Sequence, residues 1–401
     1  MTTNTTVAQV VQAVQQLRLR ATRDNFRGDD PFDGLNSLLF RGLPFLKNTL
    51  FGLIWTQLFK RSPINFRRIA GVPKKRNPKG VGLFIMGLLL EYQRSNERAL
   101  LDQAIELGDW LITQQCDPSV WQAPCWGYHF PWKARAFYVP LGKPNLITTV
   151  YVSQALFALG EVTQDPKYTQ LALDSADFMV SILYHDTAEE AFFRYIPGES
   201  ALVHNANLWA AAWVTKSATI RDIPEHLALA KKACQTSLNA QNDDGSWPYG
   251  NRSHHQFIDG FHTGYNLETL NIIQQYCPDD AIHTAIKKGF DYYIHHLIDS
   301  EGTAKYYHNT PYPVDTHNFA QAIVTLLILD KDESDTALVR KVVQRGFNTI
   351  YMEPEQRFVY QKTASGTNSI NYSRWTQSWA YYSLNMFLNT LDLRGNRSEP
   401  N

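Results

Sequence analysis

The stretch DGSWPYGNRSHHQFIDGFHTG, residues 244–264, combines side chains that can move protons or bind anions with residues that interrupt helices. It contains three histidines, one arginine, two aspartates and four glycines. Such a stretch is too polar for a core helix and too rich in reactive groups for an ordinary connection. Imidazole and carboxylate groups in one loop are suited to general acid and base chemistry, so we expect this loop to face a cavity.

Further candidates lie where apolar helical segments begin, and histidines recur there at positions 204, 262 and 317. Aromatic rings interleaved with amides, imidazoles and guanidinium groups suit a sugar, because flat rings stack on pyranose CH groups while the polar groups bind hydroxyls. The predicted catalytic residues are His204, Asp259, His262, Tyr312, Asp315, His317 and Tyr372. The predicted substrate-binding residues are Trp126, Tyr128, Asn207, Trp209, Arg252, His254, His255, Tyr265, Gln321, Arg374 and Trp375.

Several of these candidates also have an ordinary structural explanation. Asp259 and Asp315 stand just before helical segments, where an aspartate commonly caps the helix. Trp247 is expected to close a repeat rather than to bind a ligand. Glu268 stands about two turns into its helix, where we expect a buried bond to an arginine or a tyrosine.

The sequence predicts neither a metal site nor a cofactor. His254, His255 and Asp259 are conceivable metal ligands, but adjacent histidines on a loop rarely share one ion without a third ligand at a defined spacing, and there is no HExxH motif. No phosphate-binding loop, dinucleotide-binding GxGxxG or GxSxG elbow stands in a suitable context. The cysteines lack any CxxC spacing: Cys116, Cys125, Cys234 and Cys277.

Composition limits the compartment and the partners. The 401 residues are 44% apolar and carry 38 basic and 38 acidic side chains, so no overall field would attract nucleic acid. The few cysteines fit a reducing compartment, and the N-terminus has no signal-peptide pattern. The most apolar run, VGLFIMGLLL at 81–90, is about half the ~20 residues of a membrane-spanning helix. We therefore expect a cytoplasmic protein, and the sequence leaves its oligomeric state open.

A repeat organises the chain. Apolar helical segments begin at intervals of about 55 to 65 residues, near Gly80, Asn145, Val203, His262, Thr316 and Ser373. Each of the first five is followed, after a short link, by a second helix with a charged face. The links that return to the next apolar helix are longer, about 15 to 30 residues, and such loops usually have a function.

Six such pairs predict an all-α (α/α)6 toroid as a single domain over residues 1–401. Residues 1–79 then supply a closing helix, at 7–20 or 45–60, and a basic linker. Short β-hairpins are expected on the rim at WGYHF from Trp126, FFRY from Phe192, WPY from Trp247, KYYH from Lys305 and FVY from Phe358. A straight stack of the TPR or HEAT type is the alternative, but its repeats are shorter, about 34 to 47 residues.

In a toroid the long loops and the N-termini of the inner helices converge on one open end. The positive ends of the helix dipoles then point into the cavity and favour an anionic ligand. Residues 60–79 add eight basic side chains and no acidic one, after the amphipathic segment LPFLKNTLFGLIWTQLF. A solvated linker is the ordinary explanation, and docking to an anionic polysaccharide or to a membrane through residues 45–79 is the alternative.

Three blocks resemble the VpsJ-type family of polysaccharide biosynthesis proteins: DDPFDGLNS (29–37), SPINFRRIAGVPKKRNPKG (62–80) and FIDGFHTGYNLETL (257–270). The resemblance extends over most of the chain. It implies a relative of the toroid sugar enzymes, which include glucuronyl C5-epimerases, unsaturated-uronyl hydrolases and polysaccharide lyases. QNDDGSW (241–247) is also similar to the QW repeat of squalene-cyclase-type toroids, but the acidic DxDD motif of those cyclases is absent.

The function predicted from these residues is uronate C5-epimerisation on an anionic glycan or a lipid-linked oligosaccharide. Removing H5, which is α to the carboxylate, requires a base on one face, an acid on the other and cations that hold the intermediate. The proton-transfer candidates are Tyr372, Tyr312, His204 and His262. Arg374 and Arg252 would neutralise the carboxylate.

Three other functions remain open at this point. The same site gives a lyase if the 4-substituent leaves before reprotonation. A glycoside hydrolase instead needs two opposed carboxylates, for which Asp259 and Asp315 are the candidates. A glycan-binding scaffold without catalytic activity is the alternative from a different class.

Overall fold

The computed structural model describes residues 6–133, 138–329 and 336–395. In chain order its helices are α1 (Val7–Arg23), α2 (Leu38–Gly42), α3 (Leu50–Arg61), α4 (Pro78–Ser95), α5 (Arg98–Thr113), α6 (Pro118–Trp121), α7 (Leu146–Thr163), α8 (Pro166–Phe178), α9 (His204–Arg221), α10 (Pro224–Leu238), α11 (Gly260–Tyr276), α12 (Asp280–Tyr292), α13 (Thr316–Leu329), α14 (Thr336–Ile350) and α15 (Ser378–Gly395). The strands are β1 (Trp132–Lys133), β2 (Tyr138–Val139), β3 (Tyr184–Asp186), β4 (Ala191–Phe193), β5 (Val314–Asp315), β6 (Tyr351–Met352), β7 (Arg357–Phe358), β8 (Gln361–Thr363) and β9 (Gly366–Asn368).

Six helices form a closed inner ring. Helix α4 packs against α7, then α7 against α9, α9 against α11, α11 against α13 and α13 against α15, and α15 returns to α4. These helices are enclosed by neighbours on several sides, which explains why their apolar residues are not restricted to one face. Helix α9 shows this best, because His204 through Thr215 are all buried. The predicted (α/α)6 toroid is confirmed.

The outer layer pairs one helix with each inner helix. Helices α5, α8, α10, α12 and α14 each pack against the inner helix that precedes them, and α1 packs against α15. Of the two predicted closing segments, 7–20 is therefore right and 45–60 is wrong. Helix α3 lies on the rim instead, against residues 33–36, because its buried face presents only Gly52, Thr56 and Phe59 to the protein.

The rim carries short antiparallel pairs, of which two were predicted. FFRY includes β4, which pairs with β3, and FVY includes part of β7, which pairs with β6. WGYHF at 126–130 contains no strand, and β1 and β2 pair after it. The hairpins predicted at WPY and KYYH are also wrong. Each of the two backbones instead bonds to the inner helix that precedes it in the chain, since His204 N–H of α9 donates to Tyr249 O and Gly260 N–H of α11 donates to Tyr306 O, which satisfies free N–H groups of the first turn.

The N-terminal segment is fixed on the rim by buried ion pairs. Arg67 donates to Asp33 at 2.7 Å, and both side chains are enclosed. Arg374 donates to Asp30. Residues 60–79 are therefore not a solvated linker throughout, because Arg67 is 1% exposed and Lys79 is 3% exposed.

Two further points concern the ends and the apolar helices. The single domain over 1–401 stays a prediction, and the start of the predicted outer helix at Ser334 lies outside the described residues. Within the described chain, α7 alone is long and apolar enough to cross a membrane by length and composition. Its 18-residue window is 67% buried, as expected of an inner helix of the ring.

Candidate active site

A cavity of about 380 Å³ opens at the end of the ring where the inner helices begin. The second residue of each inner helix lines it, counting Ser373 as the first residue of the turn that leads into α15. These six residues are Lys79, Ile147, Asn205, Phe261, His317 and Arg374. The regularity follows from the parallel course of the helices, because equal positions in the first turn point in the same direction relative to the ring.

Nine predicted site residues line this cavity: Tyr128, His254, His255, Asp259, His262, Tyr265, His317, Arg374 and Trp375. They come from the loop before β1, the opening stretch, the starts of α11 and α13, and the turn before α15. The stretch at 244–264 therefore lies where the repeat placed it, on the rim and wall of the central cavity. The roles assigned to these residues stay predictions.

Asp259 and His262 form an oriented pair at the start of α11. One oxygen of Asp259 accepts the backbone N–H of His262 at 2.9 Å and caps the helix. Its other oxygen is 2.7 Å from Nδ1 of the same histidine. The carboxylate makes Nδ1 the donor, so Nε2 of the neutral ring is free to accept a proton. The His262 side chain is 21% exposed, which leaves it accessible from the cavity.

Tyr265 and His317 form a second pair, in which the phenol oxygen is 2.5 Å from Nε2 of the imidazole. Burial, together with the nearby cations Lys79 and Arg374, holds the pKa of His317 well below its usual value. Burial raises the pKa of the Tyr265 phenol well above 10. Both groups are therefore neutral, and the phenol donates to the imidazole.

Lys79 makes no ion pair with any of the described residues. Its ammonium group lies 4.1 Å from the centroid of the Tyr151 ring and 5.6 Å from that of Tyr265. Burial lowers its pKa well below the usual value. Lys60 is a second cavity-lining lysine, 4.8 Å from the Phe32 ring, and burial also lowers its pKa. These two cations and the helix dipoles make the cavity suitable for an anion.

Arg374 differs from the lysines because the protein already supplies its counter-ion. Its Nε and Nη2 donate to the two carboxylate oxygens of Asp30 at 2.5 and 2.7 Å. The guanidinium also stacks on the Tyr128 ring at 4.8 Å. Arg252, the other predicted carboxylate ligand, pairs with Glu199 at 2.5 Å and does not line the cavity. Lys79 and Lys60 therefore replace the two arginines as the uncompensated cations.

His204 does not face the cavity, although the sequence pattern groups it with His262 and His317. It is the first residue of α9, whereas His317 is the second residue of α13 and His262 the third of α11. One residue rotates a side chain by about 100° around the helix. The His204 imidazole consequently points outward to Ser237 on α10, with Nδ1 3.0 Å from the hydroxyl oxygen. Burial lowers its pKa to about 4.

Three other predicted catalytic residues also lie off the cavity. Tyr312 is 40% exposed on the outer rim. Tyr372 is buried beneath the N-terminal segment, where its oxygen accepts from Arg67 at 3.1 Å. Asp315 caps α13 by accepting the backbone N–H of His317 at 2.8 Å, and it also binds Gln361. Burial raises the pKa of Asp315 to about 6.

Four predicted substrate-binding residues instead maintain the ring: Trp126, Asn207, Trp209 and Gln321. The Trp126 indole donates to Leu111 O, and Asn207 donates to Ala233 O on α10 and accepts the backbone N–H of Phe193 at the end of β4. Trp209 packs at 5.3 Å from Tyr151 in the layer beneath the cavity. Gln321 donates to Glu268 at 2.9 Å, so the predicted arginine or tyrosine partner of Glu268 is wrong.

The structural role expected of Trp247 agrees with its position, because its buried indole donates to Ser237 O at 2.9 Å.

Among the described residues, no group of three or more histidine, cysteine or carboxylate side chains has the arrangement of a metal site. His254 and His255 lie side by side on the rim with ring centroids 4.3 Å apart.

Lys60, Lys79 and Asp30 are the charged site residues that the sequence analysis did not predict. The sequence analysis includes Lys79 among the basic residues of the segment 60–79, although the sequence also indicates that it lies in the first turn of α4. Asn77 caps α4 and Pro78 is its first residue, so the Asn-Pro pair marks the helix start and puts Lys79 second. Asp30 gave no comparable signal, because its partner Arg374 is 344 residues away in the chain.

The fold and this cavity define the class as an (α/α)6 toroid with a polar, aromatic-walled mouth. No family profile and no curated protein matches the sequence. Among solved structures the chain is similar to an unsaturated glucuronyl hydrolase specific for heparin, at 12% identity and a TM-score of 0.63 over 97% of both chains. It is also similar to cellobiose 2-epimerase from Bacillus thermoamylovorans, at 10% identity and a TM-score of 0.63 over 80% of this chain and 90% of that one.

A sugar epimerase from a ruminal bacterium is a third similar structure, at 12% identity and a TM-score of 0.63 over 82% of this chain and 91% of that one. At such low identities these likenesses establish the fold, which the chain shares with toroid enzymes of sugar chemistry. The resemblance to VpsJ-type proteins stays a prediction.

Proposed function

We propose that the protein is a carbohydrate-active enzyme that moves a proton next to a carboxylate, as a uronate C5-epimerase does. The observation that carries the proposal is the Asp259–His262 pair, which faces the same cavity as the unpaired cation Lys79. An oriented imidazole is a suitable base, and an adjacent cation lowers the cost of the negative charge that develops on the substrate.

In the proposed reaction, His262 Nε2 removes H5 of the uronate and the electron pair of the C–H bond moves into the carboxylate. Lys79 and Lys60 hold the resulting enediolate-like group. The phenol of Tyr265 returns a proton to C5 from the opposite face, and Lys79 stabilises the phenolate that is left. Exchange with water then resets both groups, so the balance needs no oxidant or reductant.

The acidic residues do not favour a hydrolase. Of the described residues that line the cavity, Asp259 is the single carboxylate, and it already caps α11 and holds His262. The second predicted carboxylate, Asp315, lies behind the wall. A lyase uses the same base as the epimerase and differs in whether the 4-substituent leaves, so it is the nearest alternative.

Incubation of the protein with a uronate glycan in D2O tests the proposal. An epimerase incorporates deuterium at C5, which NMR detects, whereas a lyase produces the ultraviolet absorbance of an unsaturated uronate. Binding without either change indicates a scaffold. A neutral disaccharide such as cellobiose is the control substrate, and its conversion without conversion of the uronate would contradict the role given to the lysines.

A further inference from the structure

An unusual concentration of exposed apolar side chains lies on the N-terminal segment, beside the cavity mouth. Of the sixteen large apolar residues exposed in the described chain, ten fall between positions 38 and 69. We call these ten the rim patch: Leu38, Leu39, Leu43, Phe45, Leu50, Phe51, Ile54, Leu58, Ile64 and Ile69. Phe45 and Leu50 are each 70% exposed. Scattered apolar residues are normal on a surface, but a cluster of this kind marks an interaction site.

Helix α3 at the centre of the rim patch is oriented opposite to an ordinary surface helix. Its exposed residues Leu50, Phe51, Ile54 and Leu58 fall within about 100° of arc at 100° per residue. The opposite face, which contacts the protein, carries small or polar Gly52 and Thr56 together with Phe59. An ordinary amphipathic helix would bury the larger apolar face. The sequence therefore directs its apolar stripe outward.

The charged side chains of the segment that carries the rim patch have one sign. No acidic residue occurs between positions 34 and 90, although acidic and basic residues are equal in number over the whole chain. Several basic residues of this segment are exposed and make no ion pair within the described chain: Arg61, Arg68, Lys74 and Lys75. An outward apolar stripe flanked by basic side chains is the pattern of a helix that lies in the interface of an anionic bilayer.

We propose that the rim patch docks the protein onto the surface of an anionic lipid membrane. The apolar side chains of α2 and α3 enter the headgroup region, and the surrounding arginines and lysines bind the lipid phosphates. Lys60, in the last turn of α3, and Phe32 line the cavity, so docking brings the cavity mouth to the membrane. If the proposed function holds, the substrate is a saccharide presented at that surface, such as one carried on a lipid.

Charge decides between a membrane and a second copy of the chain. In a two-fold dimer the same patch meets itself, so Arg61 and Arg68 would approach their own copies, and the segment 34–90 supplies no acidic residue to pair with them. An anionic bilayer satisfies both the apolar stripe and the basic border. Membrane docking therefore accounts for both features, whereas self-association accounts for one.

Co-sedimentation with vesicles tests this proposal directly. The full chain should sediment with vesicles of phosphatidylcholine and phosphatidylglycerol, bind more weakly to phosphatidylcholine alone, and dissociate as salt is raised. The triple variant Phe45→Ser, Leu50→Ser, Ile54→Ser should reduce the partition coefficient by about tenfold or more. Its matched control is Leu19→Ser, Val120→Ser, Ile220→Ser, which removes three exposed apolar side chains elsewhere and should bind as the wild type does.

A second pair of variants separates charge from apolar contact. Arg61→Gln with Arg68→Gln should weaken binding to the anionic vesicles by about thirtyfold, at about 1 kcal/mol per charge, and Lys231→Gln with Lys287→Gln should not. All these positions are exposed, so circular dichroism spectra should be unchanged. Turnover of a soluble uronate glycan should also stay the same in the rim-patch variants, which keeps this test independent of the proposed reaction.

Absence of wild-type sedimentation with anionic vesicles would overturn the proposal. Equal loss of binding in the rim-patch triple variant and its control would do the same. Light scattering tests the alternative of self-association. If the wild type is a dimer, the rim-patch variant is a monomer and neither protein binds vesicles, the rim patch is a self-association surface.

Discussion

Lys79 and Lys216 lie toward opposite ends of the inner ring, and each packs its ammonium group against aromatic rings. Lys216 is 3.9 Å from the Phe157 centroid and 5.6 Å from that of Trp213, in a second cavity of about 230 Å³. Burial lowers the pKa of both lysines. A layer of aromatic rings that includes Tyr151 lies between the two cavities.

The surroundings of the two lysines differ in the groups that can move protons. The cavity of Lys79 is formed by the first turns of the inner helices and by the long loops, which bring in His262 and His317. Among the described residues that line the cavity of Lys216, there is no histidine and no carboxylate. A lysine against aromatic rings is thus a packing arrangement common to both ends. The capacity for catalysis comes from the helix starts and loops of one end.

The largest expected effect is that of His262→Asn, which removes the proposed base. We expect kcat to fall by about a thousandfold, within the usual contribution of general base catalysis. Deuterium incorporation at C5 measures this loss. His283→Asn, on the exposed face of α12, is the matched control and should keep full activity. A variant at 262 that remained active would transfer the base to another residue of the same cavity.

Asp259→Asn should have the next largest effect, about a hundredfold in kcat, because it removes the carboxylate that fixes the tautomer of His262. Asparagine also caps helices well, so the thermal midpoint should change little. Asp279→Asn replaces the cap of outer helix α12 and should leave activity intact. Equal losses in the two cap variants would show that stability, and not the orientation of the imidazole, is responsible.

Lys79→Met addresses the comparison of the two ends directly. Loss of a charge-assisted contact to the substrate carboxylate should lower kcat/KM by roughly tenfold or more, whereas Lys216→Met should leave it within about twofold. The Lys79 ammonium is present below its pKa and lost above it. Because burial holds that pKa below the usual value, wild-type KM should rise with increasing pH earlier than an ordinary lysine would allow, and Lys79→Met should abolish the rise.

The fold was predictable from the sequence because its signal is periodic. Six apolar segments at a regular interval, each followed by an amphipathic one, leave few ways to bury the inner helices other than a ring. The start of each inner helix was placed to within a few residues, and caps such as Asn77 and Asn145 carry that information locally.

The cavity was harder to predict because one residue of register decides which side chain faces inward. His204 and Asn205 are neighbours in sequence, yet the first bonds to α10 and the second lines the cavity. The pairing of Arg374 with Asp30 depends on where a segment more than three hundred residues away crosses the rim. Neither fact is contained in the pattern of a single repeat, so local sequence could not supply it.

His204 lies at the same end of the inner ring as Lys79, but its side chain faces away from the cavity. We therefore expect replacement of His204 to change the stability of the protein and not its activity. Its pKa of about 4 in the folded protein lies below the unfolded value of about 6.5. Between these values the unfolded chain binds more protons, so stability is complete above pH 6.5 and falls as the pH decreases toward 4. The contribution of this one group should be about 1 kcal/mol at pH 6 relative to pH 8.

Urea denaturation at pH 8 and pH 6 measures this contribution. Burial also lowers the pKa values of His129 and His255 to about 4, so these two histidines act in the same direction. The test therefore compares the change in unfolding free energy between pH 8 and pH 6 in each protein, and not the absolute stability. His204→Gln should reduce the loss on acidification by about 1 kcal/mol, and exposed His283→Gln should not. An unchanged loss in His204→Gln would mean that the His204 imidazole binds a proton in the folded protein as readily as in the unfolded chain.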